Sequence, residues 1–222
     1  WTVADFTYAP YEKRLYGCDY SRDFTIKGSA IAGFSDSGLA KLEQNKNLVL
    51  PSTDDKGDTV VGVAPGAFSK KGLTSVQFPT GMMVDYNDTV TNGKVTKRGN
   101  FVIGENAFSG NELTSVTLPE GVIACLSNSF MGNKITTVKL PKTIWWLETQ
   151  SFGKNLITTV NFPTTCDFQL EMHGMAFANN LITSVRLPDY TEVVNKDSFF
   201  WNPGKEPLAN EAPDRYKTYK GV

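Results

Sequence analysis

The chain has 222 residues, 40% of them apolar and 20% charged, a composition that fits a folded chain and excludes a disordered one. Twenty-two basic residues oppose 23 acidic ones, and a net charge of −1 argues against a general nucleic-acid binder and against electrostatic docking on an anionic membrane. No apolar run approaches the roughly 18 residues of a membrane helix, and the opening Trp1-Thr2-Val3 reads as a mature or excised segment, which hides any export signal.

Residues 1–35 hold two related pieces. Phe6-Thr7-Tyr8 precedes Leu15-Tyr16-Gly17-Cys18, and Phe24-Thr25-Ile26 precedes Ile31-Ala32-Gly33-Phe34. Each reads as strand–turn–strand, with Lys27-Gly28-Ser29 as the turn of the second. Two hairpins are therefore expected to cap the N-terminal end. Residues 36–45 read as a short helix with Asp36 as N-cap and Leu39 and Leu42 at helical spacing. Leu48-Val49-Leu50-Pro51 follows as a degenerate copy of what comes next.

From residue 60 the sequence repeats itself. Leu73-Thr74-Ser75-Val76-Gln77-Phe78-Pro79 returns as Leu113 to Pro119, Ile135 to Pro141, Ile157 to Pro163 and Ile182 to Pro188. A small residue and a phenylalanine precede each copy: Ala67-Phe68, Ala107-Phe108, Ser129-Phe130, Ser151-Phe152 and Ala176-Phe177, with Ser198-Phe199 after the last. Both markers keep a period of 22, lengthened once by 18 residues and once by three. Within a copy the alternation predicts a strand, with Val76 and Phe78 inward and Gln77 outward, closed by a proline that cannot continue the ladder. Second strands are predicted at Phe101-Val102-Ile103, Ile123-Ala124-Cys125, Trp145-Trp146-Leu147 and Leu170-Glu171-Met172. Asn111, Asn133, Asn155 and Asn180 stand in the turn before each next strand, where a buried amide can bond neighbouring turns into a ladder; Lys71 breaks that series. One repeat is too small to fold alone, so the copies are expected to stack into an elongated, curved array.

The 18-residue insertion, at about residues 81–99, carries Asn92-Gly93 between Thr/Val-rich flanks and predicts a projecting β-hairpin. Residues 202–222, rich in Pro, Lys and Glu, read as a C-terminal cap or linker. The expected organisation is thus 1–50 as an N-terminal cap of two β-hairpins and a short helix, 51–201 as the repeat array, and 202–222.

The stretch Val102-Ile103-Gly104-Glu105-Asn106-Ala107-Phe108 through Leu113-Thr114-Ser115-Val116-Thr117-Leu118-Pro119 resembles the BspA-type (Treponema pallidum-type) leucine-rich repeat, and the likeness covers about residues 60–201. The resemblance implies a β-rich leucine-rich repeat solenoid with short helical or 3-10 turns, curved as a right-handed superhelix behind an N-terminal β-hairpin cap. It also implies a bacterial surface or secreted adhesion protein, although the same repeat occurs in some parasitic protists. No C-terminal sorting motif is present on which to claim wall anchoring.

Several residues invite a chemical role. The outward strand positions Ser75 and Gln77, Ser115 and Thr117, Thr137 and Lys139, Thr159 and Asn161, and Ser184 and Arg186 form a hydroxyl-rich, mildly basic face. Such sheets bind partners in many repeat proteins, and their threonines also serve strand propensity. Matching Trp145 to Phe101, Ile123 and Leu170 places it inward and leaves Trp146 outward, as a partner anchor or a platform for a sugar. The single histidine, His173, reads as a surface-loop residue, since catalysis needs a nucleophile and an acid converging on it. Cys125 takes an inward, inert position, and Cys18, Cys125 and Cys166 make neither a disulfide framework nor a zinc motif. Asp54-Asp55-Lys56-Gly57-Asp58 and Asp85-Tyr86-Asn87-Asp88 lack the EF-hand pattern and read as polar turns. Asn87-Asp88-Thr89 is a formal glycosylation sequon.

The functional expectation is a non-enzymatic extracellular module, with no metal or other cofactor, that binds a host matrix protein, a cell-surface protein or a glycan. Nucleic acid and membrane insertion are not expected. The rival readings are a structural spacer and a targeting domain of a longer wall-active enzyme.

Overall fold

The computed structural model describes residues 1–16, 23–86, 96–183, 185, 187–194 and 197–203. A 3-10 turn at Val3–Asp5 leads into β1 (Phe6–Tyr16) and β2 (Asp23–Phe34). These two strands pair antiparallel along their whole length as one long hairpin, with Tyr11 opposite Gly28. The two expected hairpins are thus corrected to one. Lys27-Gly28-Ser29 is strand, not turn, and Gly28 has a packing reason: a Cβ there would meet a Val61 methyl at 2.9 Å. The helix α1 (Asp36–Leu42) forms where expected, but Ser35 caps it, its Oγ accepting from the Gly38 N–H at 3.2 Å; Leu42 is buried and Leu39 exposed.

The repeats then lay down two kinds of strand. The S-V-x strands are β3 (Asn47–Val49), β5 (Ser75–Gln77), β9 (Ser115–Thr117), β11 (Thr137–Lys139) and β13 (Thr159–Asn161). The return strands are β4 (Val60–Val63), β8 (Phe101–Ile103), β10 (Val122–Cys125), β12 (Trp146–Leu147), β14 (Leu170–Met172) and β15 (Thr191–Val194). β3 pairs with β5, and β9, β11 and β13 form a parallel three-stranded sheet in which Val138 lies between Val116 and Val160. The return strands extend the hairpin into an eight-stranded sheet, parallel from β2 onward, in the order β1-β2-β4-β8-β10-β12-β14-β15. The degenerate copy at Leu48 is therefore a true member of the stack.

The main core lies between the two kinds of strand, and two ladders run through it. Phe68, Phe108, Phe130, Phe152, Phe177 and Phe199 stack with centroids 5.0–5.6 Å apart. Beside them Asn111, Asn133, Asn155 and Asn180 are buried. Asn155 shows the logic: its amide nitrogen donates to the carbonyls of Phe130 and Phe152, and its oxygen accepts from the Ile135 N–H. Each asparagine so satisfies backbone groups of its own rung and the one before. Asn202 continues the series with bonds to Phe177, Phe199 and Ile182. Where Lys71 interrupts it, the Lys71 N–H donates to Asn111.

The insertion supplies β6 (Met83–Asp85) and β7 (Lys97–Gly99), paired antiparallel. Its Asn92-Gly93 tip lies outside the described residues, as do Cys18, the sequon and residues 204–222. The base of this hairpin packs down rather than standing free. Tyr86 sits 5.2 Å from Phe24 and 5.7 Å from Phe168, and the Arg98 guanidinium lies 4.6 Å from the Phe24 ring centre. Phe24 also meets Trp145 at 5.2 Å and Phe168 at 5.1 Å. Together with Leu15, Ile26, Val61, Val102 and Ile123 these rings form a second core on the far face of the eight-stranded sheet.

Candidate interaction face

The S-V-x strands present their polar residues in columns. Ser115, Thr137 and Thr159 stand side by side in register, and Thr117, Lys139 and Asn161 form the next column. Asn47 and Ser75 are aligned in the adjoining pair, as are Val49 and Gln77. The valine between the two columns points into the core, so alternation alone turns both columns outward. Ser75, Gln77, Ser115, Thr117, Lys139, Thr159 and Asn161 are exposed and Thr137 is half-buried. Ser75 and Thr74 donate to Asn47 Oδ1 at 2.9 and 3.0 Å, while Thr136 and Thr158 reach back to the carbonyls of Thr114 and Thr136. Ser184 and Arg186, the last predicted pair, lie outside the described residues.

The tryptophans differ from expectation. Trp145 is fully buried, but in the second core and not between the two kinds of strand. The cause is a β-bulge: Val122 pairs with Phe101 and Ala124 with Val102, so Ile123 is the extra residue and is displaced to the far face. Trp145, whose backbone N–H donates to the Ile123 carbonyl on the neighbouring rung, lies on that same face, where strict alternation from Leu147 would have turned it inward. Trp146, opposite Ala124 and Glu171, is half-buried rather than exposed. Its ring lies 5.4 Å from Trp145 and 4.3 Å from His173. His173 is half-buried rather than a free surface-loop residue: it directly follows β14, with Nε2 3.3 Å from the carboxylate of buried Glu171.

Cys125 is buried in line with Ile103 and Leu147, and burial pushes its thiol well above the usual range. Cys166, not expected to pair, donates to the carbonyls of Lys142 and Ile144 at 3.0 Å, and burial raises its pKa to about 12. Asp54 closes a polar turn, accepting from the N–H groups of Lys56 and Asp58. Among the described residues no three His, Cys, Asp or Glu side chains converge as metal ligands, and no helix is long and apolar enough to cross a membrane.

The sequence pattern described as the BspA type leucine rich repeat region matches six copies over residues 86–204, more than half of the chain. The chain belongs to the BspA-type leucine-rich repeat family. The BspA-type array extends further toward the N-terminus than that match, because Phe68 already stands in the ring ladder and Val76 pairs with Leu48 across β3 and β5. Among solved structures it is similar to the pneumococcal vaccine antigen PcpA, with a TM-score of 0.54 and 15% identity over 88% of this chain and 46% of that one. A leucine-rich cell surface protein from Faecalibacterium prausnitzii also matches, with a TM-score of 0.41 and 15% identity over 87% and 52% of the two chains. The chain thus spans about half the length of these solved relatives. No curated protein sequence gives a significant match.

One surface feature of this BspA-type array was not singled out from the sequence. The position after each ladder asparagine is Glu112, then Lys134, which pair with each other, and then Leu156 and Leu181, which are exposed. On the last described rung Phe200 and Trp201, which stand just before Asn202, are exposed too, Trp201 at 58%. The shift from charged to apolar along one row of the repeat was the available signal.

Proposed function

We propose that the chain is a non-enzymatic interaction module that works outside the cell, secreted or attached to its surface. It captures a host extracellular-matrix protein, a cell-surface protein or a glycan on the outer side of its S-V-x strands. The reading takes the stack as a curved, right-handed solenoid, capped at its N-terminal end by the β1–β2 hairpin and followed by a cap or linker at 202–222. The observation that carries it is the columnar register of Ser115, Thr137 and Thr159 beside Thr117, Lys139 and Asn161. Side chains held at one strand spacing on a rigid sheet lose little freedom on binding, so a repeat surface of hydroxyls and amides can hold a partner by many small contacts. Membership of the BspA-type repeat family and the likeness to the pneumococcal vaccine antigen PcpA support the setting.

The test is capture of the purified chain on immobilised extracellular-matrix proteins, compared with a Thr137→Glu, Lys139→Glu double variant. Both side chains stand off the core, so the fold is expected to be kept. Capture should fall by about tenfold or more, as for a change at the centre of an interface. Capture equal to that of the unaltered chain removes the sheet face from the hypothesis.

A further inference from the structure

The β1–β2 hairpin leaves the edge of the eight-stranded sheet part-way along its length. β2 bonds to β4 only from Ser29 to Ile31, against Val60 to Val63. Beyond Ser29, residues 11–16 and 23–28 pair as strands only with each other among the described residues. This outer half lies across the far face of the sheet. Gly28 passes over Val61 of β4, Lys13 Nζ meets Glu105 Oε1 at 2.8 Å just after β8, and Phe24 reaches Trp145 just before β12. Side chains hold it there: Tyr11, Leu15, Phe24 and Ile26 against the second core, the Lys13–Glu105 pair, and the Arg98 guanidinium over Phe24.

Two features make this outer half separable from the stack. Pro10, opposite Ser29, offers no N–H to the ladder, and Gly28, opposite Tyr11, is the residue type freest to bend. Both stand where the hairpin leaves the sheet. Beneath the outer half, the indole N–H groups of Trp145 and Trp146 and the Tyr11 hydroxyl are buried without a hydrogen-bond partner. A donor buried unpaired loses its bonds to water and gains none in return, which offsets part of what the rings gain by burial. Lifting the outer half gives those bonds back. The stack has no comparable release there, because the ladder asparagines tie backbone groups from rung to rung.

We propose that the outer half of the β1–β2 hairpin is a hinged strap, which lifts about Pro10 and Gly28 while the repeat stack stays closed. Its latch is the Lys13–Glu105 pair, whose side chains are 29% and 34% exposed, so that water and salt reach it. With the strap down, Val102, Ile123, Ala124 and Trp145 are fully buried and Trp146 is half-buried. With the strap up, they form an open apolar face that carries two indole donors. Elements that open below the global unfolding free energy are those held by few backbone bonds, and the strap has none of the ladder pairing that joins each rung to the next. The motion leaves the S-V-x strands untouched, because they belong to other sheets.

The test uses two adjacent positions of β10 that face different cores. Ala124 lies under the strap and Cys125 in the stack, both fully buried. Ala124→Cys is placed in a Cys18→Ser, Cys166→Ser background and labelled with iodoacetamide without denaturant, the sites being resolved by tandem mass spectrometry. Labelling at position 124 should be at least about tenfold faster than at Cys125. Lys13→Glu removes the latch and sets two carboxylates side by side; it should quicken labelling at position 124 by about a further tenfold and leave Cys125 unchanged. A second measurement needs no new thiol. In the unaltered chain, hydrogen exchange of the Trp145 indole N–H, corrected for intrinsic rates, should be at least about tenfold faster by NMR than that of the Val138 amide. Labelling at position 124 no faster than at Cys125, a Trp145 indole no faster than the Val138 amide, or a Lys13→Glu effect that is absent or equal at both positions overturns the strap.

Discussion

The two cores of this molecule are built on opposite principles. In the core between the two kinds of strand, the ladder rings have counterparts one period away: Phe108 stacks on Phe130 as Phe130 stacks on Phe152, with interplanar angles of 7° in both pairs. In the core on the far face, Phe24, Tyr86, Trp145 and Phe168 meet nearly edge-on, and no stacked ladder of rings runs through them. The first core propagates and the second joins. It ties the N-terminal hairpin, the long insertion and the short insertion, the three departures from the period, to the same patch of sheet.

That contrast can be broken by the same substitution on each side. Phe130→Ala removes a ring stacked on both neighbours and should cost about 4–5 kcal/mol in chemical denaturation, because the flanking rungs cannot close the gap. A cost below about 2 kcal/mol would mean that the rungs adjust independently. Phe24→Ala should cost about 3 kcal/mol. Its sharper signature is local: amide exchange should quicken in β6 and β7 and around Phe168, while β9 and β11 keep their protection. Uniform quickening would show that the second core is no separate joint. The smallest effect belongs to the N-terminal corner, where the Lys41 ammonium, 2.7 Å from the Asp5 carboxylate, holds its pKa at about 2 against 3.8. A lowered pKa adds stability above the unfolded value, and that stability is lost as pH falls from about 4 to 2. Asp5→Asn should therefore cost about 1–2 kcal/mol at pH 7, and clearly less at pH 2.

Much of the first core was legible because periodicity is itself a structural statement. The asparagines at 111, 133, 155 and 180 share a spacing and a polar amide, and burial of such a group requires partners that only neighbouring rungs supply. Trp145 shows where counting fails. A bulge at Ile123 shifts the alternation by one residue and sends the tryptophan to the other face, and nothing local marks it. Lys27-Gly28-Ser29 shows the converse: a glycine that reads as a turn is there so that Val61 can approach. The outward columns were readable from alternation.

What the chain's order of residues settled alone is the rung: which side chains face the stack, where each strand stops, and which amide joins each turn to the last. Those follow from short-range geometry repeated until it becomes cooperative. What required the assembled structure is the pairing of elements without a common period, the face on which Trp145 lies and the shape of the loop after Pro163. Contacts between segments far apart in sequence depend on how all the rungs stack together, and no single rung carries that information.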